Sequence, residues 1–166
     1  MMQSGNRSSG SYEQIITASF LLFLRSMQLF GQVGHQAAGD PGIFRNQKIQ
    51  KGLEQIIKTI DACGSGLERL PDPPRGAEAA DRRFRELGKD IRGFPTLLRD
   101  LTSPGNGADR QQAIRAFQSH ADRTKRRYRE AILMFEQAYP GRLSRVLSAQ
   151  TSADAQTETA CPRYSE

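Results

Sequence analysis

Cations at helical spacing are the residues of this chain best placed to do chemistry. Arg82, Arg85, Lys89 and Arg92 fall at i, i+3, i+7 and i+10, within about 80° of one another if the segment is helical. The planar guanidinium fork donates two parallel hydrogen bonds to a phosphate. A single-sign row at helical pitch can therefore follow a phosphate backbone without reading its bases. Arg115, Arg123, Arg126 and Arg129 repeat the pattern further on, flanked by Lys125 and Arg127, and Lys51 and Lys58 add charge to an earlier segment. A run of charge opposite an apolar stripe is ordinarily a solvated face. Asp122, Arg126 and Glu130, at i, i+4 and i+8, can pair with one another. That spacing predicts that Arg115 and Arg126 are already engaged by acidic neighbours and that the row from Arg82 to Arg92 is the freer one. No aromatic residues interleave with these cations, so base stacking is not expected.

Groups suited to acid–base or nucleophilic chemistry are sparse. His35 follows Gly34 where a helix should fade, a position suited to capping against the helix dipole. His120 lies off its apolar stripe and reads as an exposed residue. Asp40, Asp61, Glu68 and Asp72 have no partner base. Cys63 continues an apolar face, Cys161 lies in a polar stretch, and no Cys-x-x-Cys pair or Cys/His cluster exists. Neither zinc nor a disulfide framework is expected, and a reducing, cytoplasmic compartment fits. There is no Glu-x-x-His pair for a di-iron bundle, and Gly64-Ser65-Gly66 lacks the lysine and the preceding strand of a phosphate loop. The expectation is a non-enzymatic protein with no catalytic residue, metal or cofactor.

The elements that must carry these residues are helices. From Ser11 to Val33 the chain is far more apolar than elsewhere, with Tyr12, Ile16, Phe20, Phe23, Met27 and Phe30 on one side and Leu22, Leu29 and Val33 widening it. Arg25 and the amphipathic spacing argue against a signal peptide and against a membrane span. So wide an arc needs several partners. Leu21, Leu22 and Leu29, on the Arg25 side, are candidates for an interface. Gly39-Asp40-Pro41-Gly42 reads as a turn. A second helix follows from about Ile43 to Ala62, with room to resume to Leu70, weakened by Gly64 and Gly66 and stopped by Pro71, Pro73 and Pro74. A third begins near Ala77, its stripe of Phe84, Leu87, Ile91, Phe94, Leu98 and Leu101 interrupted by Pro95. The fourth, from Ala108 to Tyr139, repeats Ile114, Phe117, Ala121, Thr124, Tyr128, Ala131, Phe135 and Ala138 at heptad spacing, and Arg142 to Leu147 suit one last short turn.

These segments predict an all-α, antiparallel up-and-down four-helix bundle over residues 11–147, with a disordered leader at 1–10 and a disordered tail at 148–166. The alternation of β-formers is missing. In 166 residues the formal charge is +6, which favours anionic partners. The leading expectation is a helical binding subunit whose basic face contacts nucleic-acid backbone without sequence preference, inside a larger assembly. Two alternatives stand beside it. One is a protein-interaction module or adaptor that docks, or self-associates, through its apolar first helix. The other is a bundle that inserts that helix in anionic membrane.

Overall fold

The computed structural model describes residues 9–103 and 107–148, and among these the secondary structure is helical with no strand. Helix α1 spans Ser9–Gly39, α2 Gln47–Glu68, α3 Glu78–Arg92, α4 Phe94–Thr102 and α5 Gly107–Ala138. A short helix over residues 142–148 follows the Tyr139–Gly141 turn. Helix α1 begins two residues before the expected cap at Ser11. Apart from Ser9, Gly10 and Ser148, the leader and tail expected at 1–10 and 148–166 lie outside the described residues.

The four expected helices become five α-helices because Pro95 lacks the amide that would continue α3. Helix α3 stops at Arg92, Gly93 is the junction, and α4 restarts with proline in its first turn, where no donor is needed. The turn at Gly39–Gly42 is tighter than expected. Pro41–Arg45 is a 3-10 helix, capped by the Asp40 carboxylate accepting from the Gly42 amide at 3.1 Å. Asn46 then caps α2, its side-chain oxygen accepting from the Lys48 amide at 2.9 Å.

Helix α2 starts at Gln47 rather than Ile43, and it runs without a break through Gly64 and Gly66 to Glu68, inside the expected resumption to Leu70. The glycines belong to a helix crossing rather than to a cap. A Cβ on Gly64 would lie 2.7 Å from the Gly88 carbonyl oxygen, and one on Gly88 would lie 2.6 Å from the Gly64 carbonyl oxygen. Helices α2 and α3 therefore approach backbone to backbone. Around them α1 packs on α2, α4 touches α2, and both α3 and α4 pack on α5.

The core runs through the end of the molecule where α1 starts and α5 finishes. Tyr12, Ile16, Ile60, Leu67, Phe84, Leu87, Ile91, Leu98 and Phe135 are almost fully buried. The Phe135 ring stacks on Tyr12 with centroids 6.0 Å apart and meets Phe84 edge-on at 6.3 Å. One polar chain crosses this apolar region and is satisfied along its length. The Tyr12 hydroxyl donates to Asp81 Oδ1 at 2.7 Å, and Arg85 Nε donates to Asp81 Oδ2 at 2.8 Å. The rest of the Arg85 fork donates to the carbonyl oxygen of Glu68, the last residue of α2, and to that of Leu70 just beyond it. Burial and the neighbouring Asp81 carboxylate together push the Tyr12 phenol far above its ordinary range.

Candidate functional site

The heptad stripe of α5 changes character along its length. Tyr128, Ala131 and Phe135 are buried, but Ile114, Phe117 and Ala121 are only half-buried. The same is true of α1: Tyr12, Ile16 and Phe23 are buried, whereas Phe20, Met27 and Phe30 are half-covered and Leu24 is 40% exposed. The reason is geometric. Helices α1 and α5 do not pack backbone to backbone; they face each other across a gap bridged by rings. Phe20 meets Tyr128 at 4.4 Å between centroids, and Phe30 meets Phe117 at 6.4 Å. Phe94, fixed by the α3–α4 break, closes the floor at 5.4 Å from Phe23 and 5.9 Å from Phe117.

The result is an apolar cleft of about 590 Å³. Its α1 wall repeats at i, i+3/i+4 and i+7, as Phe20, Leu24, Met27, Gly31 and Gly34, and extends about 21 Å at the rise of an α-helix. Its α5 wall is Phe117, Ala121, Thr124, Tyr128 and Ile132, with Lys125 and Arg129 on the rim. Thr124 adds no free polar atom, because its hydroxyl donates to the His120 carbonyl at 2.8 Å. The Tyr128 hydroxyl is buried without a hydrogen-bond partner, and desolvation drives its pKa well above the usual phenol range. The short C-terminal helix closes one end. Its Leu143 and Leu147 pack near Phe20, Tyr128 and Ile132. It is anchored by Arg142, whose guanidinium lies 4.7 Å above the Tyr139 ring and whose Nε is 3.5 Å from Glu13 Oε1. Glu13 is itself buried, and desolvation outweighs Arg142 to raise its carboxyl above the ordinary carboxylate value.

No protein-family model, curated protein or solved structure matches this chain. What the cleft and the charged faces can do must be read from their own geometry.

The cationic row on α3 is less free than its spacing suggests. Arg85 is spent on Asp81 and the end of α2, and Arg92 on Glu68 at 2.7 Å and Asp61 at 3.4 Å. Arg82 and Lys89 are exposed and form no ion pair among the described residues. On α5 the expectation is also reversed. Arg127 pairs with Asp90 at 2.6 Å across to α3, and Arg123 donates to His120 Nδ1 at 2.9 Å. Arg115, Arg126 and Arg129, like Lys125, stay exposed with no ion pair among the described residues; the Asp122–Arg126–Glu130 ladder does not form. Lys51 and Lys58 point outward from α2. These cations therefore form no continuous row; the freest group is the outer face of α5.

His120 is half-buried, not exposed. Its Nε2 donates to the Asp90 carbonyl at 2.6 Å, and its ring stands edge-on to Phe94 at 4.6 Å, pinning α5 to the α3–α4 junction. Its place off the stripe hid this role, because the contact is with a carbonyl at the α3–α4 break, which also accepts from the Gly93 amide at 3.1 Å. Among the described residues no group of three or more His, Cys, Asp or Glu stands close enough to hold a metal.

Leu22 and Leu29 are 48% and 43% exposed, and Leu21 is half-buried. They lie on faces of α1 turned away from the cleft; Leu22 borders a shallow hollow against α2. Helix α1 is long and apolar enough, by length and composition, to cross a membrane from Tyr12 to Gly39. Its first two turns are nonetheless committed to the protein's own core through Tyr12 and Ile16.

Proposed function

We propose that this chain is a protein-interaction module that accepts a helix of another protein in the cleft between α1 and α5. One observation carries the reading: two long helices present facing apolar stripes at helical spacing whose backbones stay apart, joined through rings with an open apolar cleft beside them. In an up-and-down reading of the helices, this seam is where the bundle is left unclosed, and a further helix would complete it. Helix-in-groove recognition uses an apolar face with anchors at i, i+3/i+4 and i+7, the periodicity that both walls display. The protein then acts by binding, with no reaction of its own.

Leu24 tests this, because it borders the cleft yet is exposed enough to be replaced without loss of fold. An amphipathic 18-residue peptide titrated into isotopically labelled protein is expected to move the amide resonances of Phe20–Gly34 and Phe117–Ile132, and Leu24→Glu to abolish the effect. Leu133→Glu, at the one leucine of α5, which is 62% exposed, is expected to leave it intact. Shifts confined to other faces, or binding indifferent to Leu24→Glu, would refute the reading.

A second reading draws on the unpaired Arg115, Lys125, Arg126 and Arg129 on α5. It is contact with nucleic-acid backbone. Four such contacts give a slope of log affinity against log salt of roughly −3 to −4 on duplex. An absence of binding at low salt would remove it.

A further inference from the structure

We infer that the helix received by the cleft is an acidic amphipathic one that crosses α1 at Gly31 and Gly34. This rests on the interaction-module reading and adds the partner's chemistry. Both glycines lie inside a 31-residue helix, where glycine is unfavourable. No intramolecular contact explains either: a Cβ on Gly31 or Gly34 would meet nothing within 4 Å. Yet both line the cleft, three residues apart. This chain shows at Gly64 and Gly88 what glycine does between its helices: it lets two backbones touch. Gly31 and Gly34 offer the same surface with no helix on it. A flexible acyl chain would gain nothing from a missing Cβ, whereas the ridge of a second helix would.

Charge sets the rest. Lys125 and Arg129 border the α5 side of the cleft without an ion pair, and the nearest acid on the same outer arc is Asp122, one turn earlier. The α1 side carries no carboxylate between Glu13 and Asp40; its charged or titratable residues there are Arg25 and His35. An occupant with carboxylates flanking its apolar stripe meets cations on one side and no repulsion on the other. A second copy is disfavoured by a formal charge of +6 on each chain. The chain's own residues 149–166 supply Asp154, Glu158 and Glu166 but no apolar stripe.

The chain contains no tryptophan, so a tryptophan in a peptide reports binding by its own emission. Three 18-residue amphipathic peptides with one common apolar face and one tryptophan, flanked by Glu, Gln or Lys, are titrated against the full chain. The Glu peptide is expected to bind about tenfold more tightly than the Gln peptide, with the Lys peptide weakest and the spread narrowing as salt rises. Lys125→Glu with Arg129→Glu is expected to reverse the order. Gly31→Ala with Gly34→Ala is expected to raise the melting temperature by about 2–4 °C per substitution while weakening the Glu peptide fivefold or more. Equal binding of all three peptides, unchanged by the charge reversals, overturns this inference and leaves the interaction module standing. Binding of none overturns both. Capture by phosphatidylglycerol vesicles that depends on Lys125 and Arg129, with no peptide bound, assigns the cleft to a membrane and overturns both as well.

Discussion

Alanine at Gly64 separates two effects that usually oppose each other in a helix. The new Cβ would sit 2.5 Å from Arg92 Cγ, 2.7 Å from the Gly88 carbonyl oxygen and 3.0 Å from the Arg92 nitrogen. The Arg92 side chain can swing aside at the cost of its bonds to Glu68 and Asp61. The two backbone atoms cannot. Reaching ordinary contact requires α2 and α3 to part by about 0.7–1 Å, and a gap of that size forfeits a quarter to a half of each dispersion contact along the interface. Overpacking of this kind costs about 1–3 kcal/mol, and the removal of a helical glycine offsets up to about 1 kcal/mol, leaving a net loss of about 1–2 kcal/mol. Gly52 is the internal control. It lies on the same helix with nothing within 4 Å of its Cβ position, so Gly52→Ala should gain about 0.5–1 kcal/mol from propensity alone. Urea denaturation followed by circular dichroism should move the two midpoints in opposite directions. Gly64→Ala with Gly88→Ala should cost less than the sum of the single changes, because the first separation accommodates the second methyl. A Gly64→Ala variant as stable as Gly52→Ala, or strict additivity with Gly88→Ala, would refute the close crossing.

Two further outcomes follow from burial. The Glu13 carboxyl is raised in the folded state, so the native protein holds that proton over a pH range in which the unfolded chain has released it. Its contribution is fully present below the unfolded value and is lost as pH rises through the folded one; Glu13→Gln should remove this decline from a plot of urea midpoint against pH, and an unchanged plot would exclude Glu13 as its source. Phe135 is fully buried and Phe117 half-buried, so thermal denaturation should show a loss of about 3–5 kcal/mol for Phe135→Ala and under about 2 kcal/mol for Phe117→Ala, with equal losses arguing that the cleft is closed in solution.

The helices were legible from residues that act locally. Apolar spacing marks α2, α3 and α5, the prolines at 71, 73 and 74 stop α2, and Pro95 marks the α3–α4 break within a residue. What was not legible depended on which helix lies across from which. Gly64 and Gly66 read as helix-weakening because the propensity scale concerns an isolated helix, and nothing in the spacing of α2 reveals that Gly88 lies opposite. The engagement of two members of the cationic row was hidden for the same reason. Arg85 and Arg92 share a face with Lys89, but Asp81 one turn earlier on α3, the Glu68 carboxylate, and the Glu68 and Leu70 carbonyl oxygens at and beyond the end of α2 engage both guanidinium groups.

The cleft is the sharpest case. The apolar arc of α1 reads as wider than one bundle needs, and its spacing marks Leu21, Leu22 and Leu29, on the Arg25 side, as a candidate interface. The structure puts the gap on the opposite side, because the α1 stripe that should seal against α5 contains Gly31 and Gly34 while its partner stripe contains Ala121 and Thr124. Small residues on both walls cannot fill the space between two long helices, and the rings of Phe20, Phe30, Phe117 and Tyr128 only bridge it. A sequence reader counting apolar positions scores glycine and alanine as interruptions of a core. Opposed across this seam, they leave room that no helix among the described residues fills.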